Sequence, residues 1–282
     1  MFEYLLNICL KKKHQIVIST HSSEYLQMLP NNAIKLFIED NNFTSILNSC
    51  NYLSAFTLLG KNILAKKMII VEDILAKEIL INVAKEMEGK IEEQLNIIFF
   101  PGGHTEIKKA IAIMDYFKGR DIFVILDGDQ NPGSFKKLND LTHDIVSDHT
   151  KLNEHIKSIV GLSIINFIPQ PSVNDKNILI PQLKNYINFI ESNLFFLPDK
   201  TPEEIIWNDD NMMLYVDDEE IKNKILESND YKDKFKILTQ YMVGNSTSET
   251  ILNIQRIFLK RWIMQKNEKF HTIESTIRLI IK

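Results

Sequence analysis

Short apolar segments alternate with amphipathic ones through the first half of the chain, and this alternation constrains the fold more than any other feature. It predicts strands at 68–71, 95–100 and 121–126, with helices at 73–88 and 104–118 between them. Strands and helices that alternate with short turns form βαβ units and a parallel sheet. The chain is therefore predicted to be an α/β protein whose mostly parallel sheet is flanked by helices.

The segments before this series predict a smaller, mixed region. The pattern indicates helices at 2–10 and 23–29, strands at 15–19 and 34–38, and a helical segment at 51–60. We therefore expect this part of the chain to be separate from the sheet.

The segments after the series are first mixed and then helical. "LSIINFIPQ" and "NLFFLP" indicate further strands, "ILIPQLKNYINFI" indicates a helix, and the pattern is helical from Thr201 onwards. The sequence thus predicts an N-terminal region at 1–60, a sheet domain at 61–206 and a helical C-terminal subdomain at 207–282.

Composition limits the classes of function. The 282 residues carry a formal net charge of −4 and are 44% hydrophobic, which argues against a uniformly basic surface for nucleic acid but allows a local basic patch. Cys9 and Cys50 lack metal-ligand spacing and are interpreted as reduced thiols. No apolar run approaches the roughly 18–20 residues that span a bilayer, and the N-terminus lacks the order of a signal peptide. We expect a cytoplasmic protein with no membrane partner.

Carboxylates follow two of the predicted strands. Glu72 follows the first, and Asp127 and Asp129 follow the third. Ligands gather at the carboxyl ends of parallel strands, so these side chains are expected at one edge of the sheet. Hard cations take oxygen ligands and keep several waters, so two or three carboxylates suffice for a Mg²⁺ or Mn²⁺ site that assists phosphoryl transfer. Two structural alternatives stay open: an ordinary turn at Asp127–Gly128, and Glu72 as a cap of the helix that follows it.

The motifs "MIIVED", "IIFFPGG" and "VILDGD" resemble the Toprim domain of topoisomerases, primases and the OLD (overcoming lysogenisation defect) nucleases. The resemblance covers residues 66–135 and, more loosely, 160–206. It implies that Glu72, Asp127 and Asp129 are catalytic residues and ligands of Mg²⁺ or Mn²⁺.

The chain departs from the Toprim pattern at two positions. Asp73 stands where Toprim domains commonly have Gly, and Ala76 stands where many OLD-type nucleases have a second acid. The second departure bears on whether the following helix holds a second metal.

The segment "HQIVISTHSSEYLQML" resembles the part of ABC-type ATPases that carries the switch histidine. The resemblance implies that His21 senses the γ-phosphate of a bound nucleotide; the alternative is a strand end followed by a helix cap. No G-x-x-x-x-G-K-[ST] loop occurs in the chain. We therefore expect the chain to begin inside the last part of an ATPase domain, and to use ATP only together with the remaining ATPase portion.

The segment "FLPDKTPEEIIW" has two interpretations. The structural one is a helix start with Thr201 at the N-cap and Pro202 at the first helical position. The functional one comes from the resemblance: OLD-type nucleases use a lysine and a further acid from this late region, which implies that Lys200 and Glu203 are catalytic. A lysine there would stabilise charge on the scissile phosphate.

Several basic residues have both a functional and a structural interpretation. His104, after two glycines at a helix start, would lie near a bound phosphate or would simply face solvent. Three basic pairs would either follow a DNA backbone or form solvated surface: Lys108–Lys109, Lys136–Lys137 and Lys260–Arg261.

An ATPase-like end joined directly to a Toprim-like domain resembles the OLD family and the ATPase–Toprim effectors of anti-phage systems, including some retrons. The resemblance implies a metal-dependent DNA endonuclease or nickase in phage defence or DNA processing. Its implied partners are DNA, a second copy of the chain, and an ATPase portion or a defence-system partner such as a reverse transcriptase with its DNA product.

Two other functions compete with this one. "VILDGDQ" also resembles the first motif of haloacid-dehalogenase-like phosphatases, in which the first Asp is the nucleophile and the second is an acid/base. Alternatively, the departures at Asp73 and Ala76 mark a non-catalytic domain kept for dimerisation or partner binding.

Overall fold

The computed structural model describes residues 2–20, 28–40, 43–49, 67–114, 121–162 and 176–282, and the chain forms two compact units, 1–65 and 66–282. Several predictions fall outside the described residues: His21, Cys50, the helical segment at 51–60 and nearly all of the helix at 23–29 and of the strand in "LSIINFIPQ".

The N-terminal unit contains a helix and a β-hairpin. Helix α1 is Phe2–Lys12, and strands β1 (Leu36–Asp40) and β2 (Phe43–Leu47) pair antiparallel. The helix is confirmed, and β1 lies two residues beyond its predicted bounds.

The predicted strand at 15–19 is wrong, because residues 13–20 have no regular secondary structure. Its apolar side chains are largely in solvent, and Val17 is 88% exposed. A strand needs a hydrogen-bonded neighbour, and no segment among the described residues pairs with this one.

The larger unit is an α/β domain built on a four-stranded, all-parallel sheet. Its strands are β3 (Lys67–Val71), β4 (Leu95–Phe99), β5 (Ile122–Leu126) and β6 (Leu194–Phe196), in the spatial order β4-β3-β5-β6. The α/β class and the parallel sheet are confirmed.

Helices surround this sheet. In chain order they are α2 (Ile74–Glu86), α3 (Ile91–Gln94), α4 (Gly103–Met114), α5 (His143–Val146), α6 (His149–Val160), α7 (Lys176–Asn193), α8 (Pro202–Ile206), α9 (Asp209–Met213), α10 (Glu219–Glu227), α11 (Tyr231–Val243), α12 (Ser248–Gln265) and α13 (Glu268–Ile281). The helical character of the chain beyond Thr201 is confirmed. No helix in the described part of the chain is long and apolar enough to cross a membrane.

Each face of the sheet has its own hydrophobic core. Ile69 and Val71 of β3 belong to one core with α2 and the C-terminal helices, whereas Ile70 belongs to the other with α4, α6 and α7. This alternation is the period of two that a strand buried on both faces requires. The C-terminal helices share the burial of the first face with α2.

The strand order creates a switch point between β3 and β5. The chain passes from β3 outward to β4, and then returns across β3 to β5 on the opposite side. The helices α2 and α4 of these two connections accordingly lie on opposite faces. In open α/β sheets, the crevice at the carboxyl ends of two such strands is the usual place for a ligand.

Gly128 lets the loop after β5 lie against the loop after β6. Its N–H donates to the carbonyl oxygen of Asp199 at 2.9 Å. A Cβ at this position would lie 2.7 Å from the carbonyl oxygen of Leu197 and would also collide with the Asp199 carbonyl group. The two backbones approach too closely for any side chain.

Replacing Gly128 by Ala should therefore destabilise the larger unit by about 1–3 kcal/mol, the usual cost of overpacking. Urea denaturation of the full chain measures this loss. Gly133→Ala is the matched control: Gly133 has a φ of +74° but open space around it, so that only backbone strain is added. Equal losses in the two variants would contradict the close approach.

Candidate functional site

The carboxylate of Glu72 joins three loops at the switch point. Its Oε1 accepts from the backbone N–H of Asp127 at 3.0 Å, and its Oε2 accepts from the backbone N–H of His104 at 3.2 Å. The Nδ1 atom of His104 lies 3.5 Å from the same Oε2, and the Glu72 side chain is only 12% exposed. Glu72 thus connects the end of β3 to the end of β5 and to the start of α4.

Local sequence explains how these groups meet. Gly102 and Gly103 have φ values of +116° and +72°, a backbone that most side chains disfavour, and this turn directs the His104 amide at the start of α4 towards Glu72. The acceptor at this helix start is therefore a protein carboxylate, where the sequence suggested a phosphate.

The structural alternative, in which Glu72 caps the helix that follows, is wrong, because Asp73 is the cap. Asp73 is the N-cap of α2, and its Oδ1 accepts from the Ala76 N–H at 2.7 Å. Ala76 is 1% exposed and packs in the core, so an acid at that position would have no access to the edge.

Asp127 is the most perturbed acid at this edge. It is 7% exposed. The pKa of Asp127 is raised to about 8. Burial is the largest cause, followed by the nearby carboxylates of Asp73 and Glu72 and, more weakly, that of Glu203; the Lys232 ammonium opposes the rise. Burial also raises the pKa of Asp73 and that of Glu203. Asp127 thus lies within electrostatic reach of three other carboxyl groups.

Lys232 is the cation of this acidic cluster, which we define as Glu72, Asp73, Asp127 and Glu203. It lies in the first turn of α11. Partial burial by itself would lower the pKa of Lys232, but the carboxylates of Glu203, Asp73 and Asp127 outweigh that effect and raise it. One ammonium faces several carboxyl groups, so the cluster is acidic overall.

Two buried oxygens in the acidic cluster have no hydrogen-bond donor among the described residues. They are Oδ1 of Asp127 and Oε2 of Glu203. The other Glu203 oxygen, Oε1, accepts from the Gln255 amide at 3.3 Å. A buried carboxylate oxygen without a partner is costly, and a bound cation would remove that cost.

Asp129 has other neighbours than Asp127. It is exposed, and its Oδ1 accepts from the Gln130 amide at 3.2 Å. The Gln130 Oε1 in turn accepts from Lys108 Nζ at 2.9 Å. Lys108 is 5% exposed and contacts Gln130 near this edge, so it is not part of a solvated basic pair.

The three predicted metal ligands are therefore near one another but do not converge. Asp127 lies within electrostatic reach of Glu72, Asp73 and Glu203, whereas Asp129 and Glu72 both act on Lys108. No group of three or more His, Cys, Asp or Glu side chains in the described part of the chain is spaced to hold one metal ion.

The segment at 196–207 has features of both predicted interpretations. Thr201 is the N-cap of α8 and Pro202 follows it, which confirms the structural interpretation. Lys200 is exposed; its backbone N–H donates to Glu204 Oε2 at 3.2 Å and its carbonyl accepts from the Asp129 N–H at 3.4 Å. The Lys200 backbone thus connects the loop after β6 to the loop after β5 at this edge of the sheet, whereas Glu203 belongs to the acidic cluster.

The remaining basic pairs lie outside the site. Lys136 and Lys137 are exposed. The Lys260 side chain is exposed too, and Arg261 donates to Asn211 Oδ1 at 3.2 Å and lies over the Tyr215 ring.

Sequence reasoning missed three residues of the site. Asp73 was noted only as a departure from the Toprim pattern, and Lys108 only as part of a basic pair. Lys232 lies in the helical C-terminal part of the chain, where the neighbouring sequence contains no motif that would indicate a role at the site. The signal for Lys108 was available: a lysine five residues after a glycine turn, one turn beyond His104 on the helix that begins there.

No family model, no curated protein and no solved structure matches this chain. A proposal for the function therefore rests on the chemistry of the site.

We predict that Glu72→Gln lowers the free energy of unfolding by about 1–3 kcal/mol, because one of the two backbone N–H groups would then face an amide NH₂ instead of an acceptor. Urea denaturation measures the loss. Glu88→Gln, at an exposed site, provides the matched control. An unchanged midpoint for Glu72→Gln would show that Glu72 does not hold the three loops together.

The raised pKa of Asp127 predicts a specific pH dependence. Between about 3.9 and about 8 the unfolded chain has lost the proton that the folded protein keeps, so the free energy of unfolding falls as the pH rises. For one proton the slope is at most about 1.4 kcal/mol per pH unit. Asp127→Asn, which has no such proton to lose, should gain stability over the wild type from pH 5 to pH 8.

Urea denaturation across that pH range measures this effect. Asp140→Asn, at an exposed carboxylate, should follow the wild-type curve. If the Asp127→Asn and wild-type curves run parallel, Asp127 titrates as an ordinary exposed acid and the prediction is wrong.

Proposed function

We propose that this chain is a metal-dependent DNA endonuclease or nickase with a Toprim-type fold, of the OLD kind. The observation that carries the proposal is Asp127 at the switch point, which is buried beside other carboxyl groups and has an unpartnered oxygen. An arrangement that raises an acid's pKa this far in a crevice is typical of functional sites. The parallel sheet with Glu72 and Asp127 at adjacent strand ends supports the Toprim resemblance.

The acidic cluster fits a divalent cation. The unpartnered oxygens of Asp127 and Glu203 are hard ligands, and Mg²⁺ is commonly held through one or two carboxylates plus waters, so three convergent ligands are not required. Such a cation, when bound, would polarise a phosphodiester and lower the pKa of a bound water. Asp127 would lose its proton on binding, so affinity would rise with pH.

Lys232 takes the role that the sequence gave to Lys200. Its ammonium is within electrostatic reach of Asp127, Asp73 and Glu203, and its pKa is raised, so it stays charged at neutral pH. A fixed positive charge beside the reacting phosphate stabilises the negative charge that develops there. Glu72, with both oxygens bonded to backbone amides, would hold the strand ends in place.

The phosphatase alternative needs Asp127 as an ionised, accessible nucleophile. Asp127 is only 7% exposed, which leaves little access for attack on a phosphate, and its buried Oδ1 has no partner among the described residues. These properties favour a role as a cation ligand.

A non-catalytic module is the second candidate function, and one observation favours it. The carboxylates do not converge on a single point among the described residues, and Glu72 already has a structural task. In that case the domain would bind cations or partners without cleaving DNA.

The partners follow from the same proposal. They are DNA, a second copy of the chain, and either an ATPase portion, which would use ATP, or a defence-system partner such as a reverse transcriptase with its DNA product. The proposed location is the cytoplasm.

We predict that the purified chain nicks or linearises supercoiled plasmid in Mg²⁺ or Mn²⁺, and that Asp127→Ala and Glu203→Gln lower the rate at least about 100-fold. Agarose gel electrophoresis over time measures the conversion. Lys232→Met should lower the rate through loss of charge stabilisation, whereas Lys200→Met should have little effect.

Asp140→Asn serves as the control for the loss of an exposed carboxylate. Cleavage that persists in Asp127→Ala would reject the site. Hydrolysis of p-nitrophenyl phosphate without plasmid cleavage would support the phosphatase, and Mn²⁺ binding with neither activity would support the non-catalytic module.

A further inference from the structure

A cavity of about 350 Å³ lies between the start of α4, the turn after β5 and the end of α6. Its volume falls in the range of about 300–1,000 Å³ that small-molecule sites usually have. Part of its lining is apolar and comes from Pro132, Ile159, Val160 and Leu162. The rest, apart from Gly161, is polar, so the cavity suits a ligand that combines an apolar body with polar groups.

Lys108 lines this cavity although it is largely buried. It is 5% exposed, and its Nζ donates to Gln130 Oε1 at 2.9 Å. That bond uses one of the three donors of the ammonium, and no carboxylate in the described part of the chain forms an ion pair with it. A desolvated charge with unused donors is costly, and an acceptor on a ligand in the cavity would reduce that cost.

Asp129 supplies an acceptor to the same cavity. Because a lysine only donates, the amide oxygen of Gln130 faces Lys108, and its NH₂ group donates to Asp129 Oδ1 at 3.2 Å. The Asp129 side chain is exposed and can accept at both oxygens, so it keeps acceptor capacity for a ligand. A group that only donates and a group that only accepts are thus connected through Gln130 along the cavity.

The charges of the lining favour a neutral ligand. The Lys108 ammonium lies within electrostatic reach of two acids, Glu72 and Asp129, which disfavours an anion such as a phosphate. The same ammonium, close to Asp129, disfavours a cation. A neutral group that carries both donors and acceptors matches this lining best.

Among the DNA bases, guanine has the matching pattern. Its O6 and N7 are acceptors that lysine commonly binds, and its 2-amino group is a donor. The N1–H lies between O6 and that amino group, so guanine offers a carboxylate two adjacent donors beside an acceptor. These groups are paired in a duplex, so the base would have to be unpaired. Proteins that bind an extruded base read this edge by hydrogen bonds and pack apolar side chains on the ring.

We propose that the cavity binds an unpaired guanine base of the DNA, with Asp129 accepting from N1–H and the 2-amino group and Lys108 donating to O6. The proposal rests on the proposed function, which supplies the DNA. The cavity also adjoins the candidate site: Asp129 is two residues beyond Asp127, and His104, which lines the cavity, donates its backbone N–H to Glu72. A base bound here would bring its strand to the edge of the sheet that carries Asp127.

Fluorescence anisotropy of the full chain in EDTA tests the base preference without metal or cleavage. The probe is a labelled thymine oligonucleotide of about nine nucleotides, a usual length for a single-strand site, with one central guanine. Replacing that guanine by adenine, or by hypoxanthine, which lacks only the 2-amino group, should weaken binding at least about fivefold. Equal affinities for the three oligonucleotides, or no binding of the guanine oligonucleotide, would overturn the proposal.

Two substitutions test the polar contacts. In Asp129→Asn the new amide oxygen would accept from Gln130, so its NH₂ group would face the guanine donors. Lys108→Met removes the donor to O6. Each should reduce the preference for guanine over hypoxanthine or adenine to less than about twofold. Asp140→Asn, at an exposed carboxylate outside the cavity, should keep it. A preference that survives in Asp129→Asn would contradict the proposed contacts.

Ser158→Trp tests the cavity itself, should Lys108→Met fail to fold in thermal denaturation. Ser158 lines the cavity but is exposed, so an indole there would occupy the cavity without disturbing the core. We expect it to abolish the preference for guanine. Ser147→Trp is the matched control, since both serines are exposed and each hydroxyl donates to a carbonyl of the preceding turn. Equal binding in the two variants would show that the cavity is not the site.

A free nucleotide could supply the same base. Unlabelled deoxyguanosine monophosphate should therefore compete at least about 10-fold less well than the unlabelled guanine oligonucleotide, because only the oligonucleotide adds backbone contacts. Equal competition would overturn DNA as the source of the base.

The outcome for the cavity is separable from that for the nuclease. A guanine preference that depends on Asp129, without plasmid cleavage, would overturn only the proposed catalysis. Plasmid cleavage by a chain that shows no guanine preference would overturn only the role of the cavity.

Discussion

The structure of the site depends on the two hydrogen bonds that the Glu72 carboxylate accepts from backbone amides. One comes from the loop after β5 and the other from the start of α4, so a single side chain sets the spacing of three chain segments at the switch point. Hydrogen bonds to a charged acceptor are stronger than those between neutral groups. The acceptor here, the Glu72 carboxylate, is also largely shielded from solvent. The carboxylate thus adds a polar connection between these segments beyond the backbone pairing of β3 with β5.

That arrangement also has an energetic cost, since it concentrates acids. Asp127, Asp73 and Glu203 all have raised pKa values, which means that their ionised forms are destabilised in the folded protein. Lys232 offsets part of this repulsion, and Lys108 lies within electrostatic reach of Glu72 and Asp129. A chain under selection for stability alone would replace such groups by apolar ones, so their presence favours binding or catalysis over a structural role.

The sequence was sufficient for the parts of this fold that depend on local periodicity. Strands β3, β4 and β5 were predictable because each is a short apolar run between amphipathic helices, and the parallel order placed Glu72 and Asp127 at one edge. The predicted strand at 15–19 failed because apolar periodicity cannot supply a pairing partner. The direction in which each acid faces was beyond prediction too, since it is set by Gly128 and by contacts between loops that are distant in sequence. Lys232 could not be found because only tertiary packing brings α11 to the strand ends.

The C-terminal helices therefore serve two purposes at once. They share the hydrophobic core on one face of the sheet with α2, and they bring Lys232 and Gln255 to Asp127 and Glu203. Burial of these acids and the approach of their counter-charge consequently result from the same packing event. Partial unfolding of the C-terminal helices would expose the carboxylates to water, return their pKa values towards those of free acids, and remove the environment that favours a cation. Formation of the site is thus coupled to folding of the whole larger unit, even though its central residues lie within the first half of the chain.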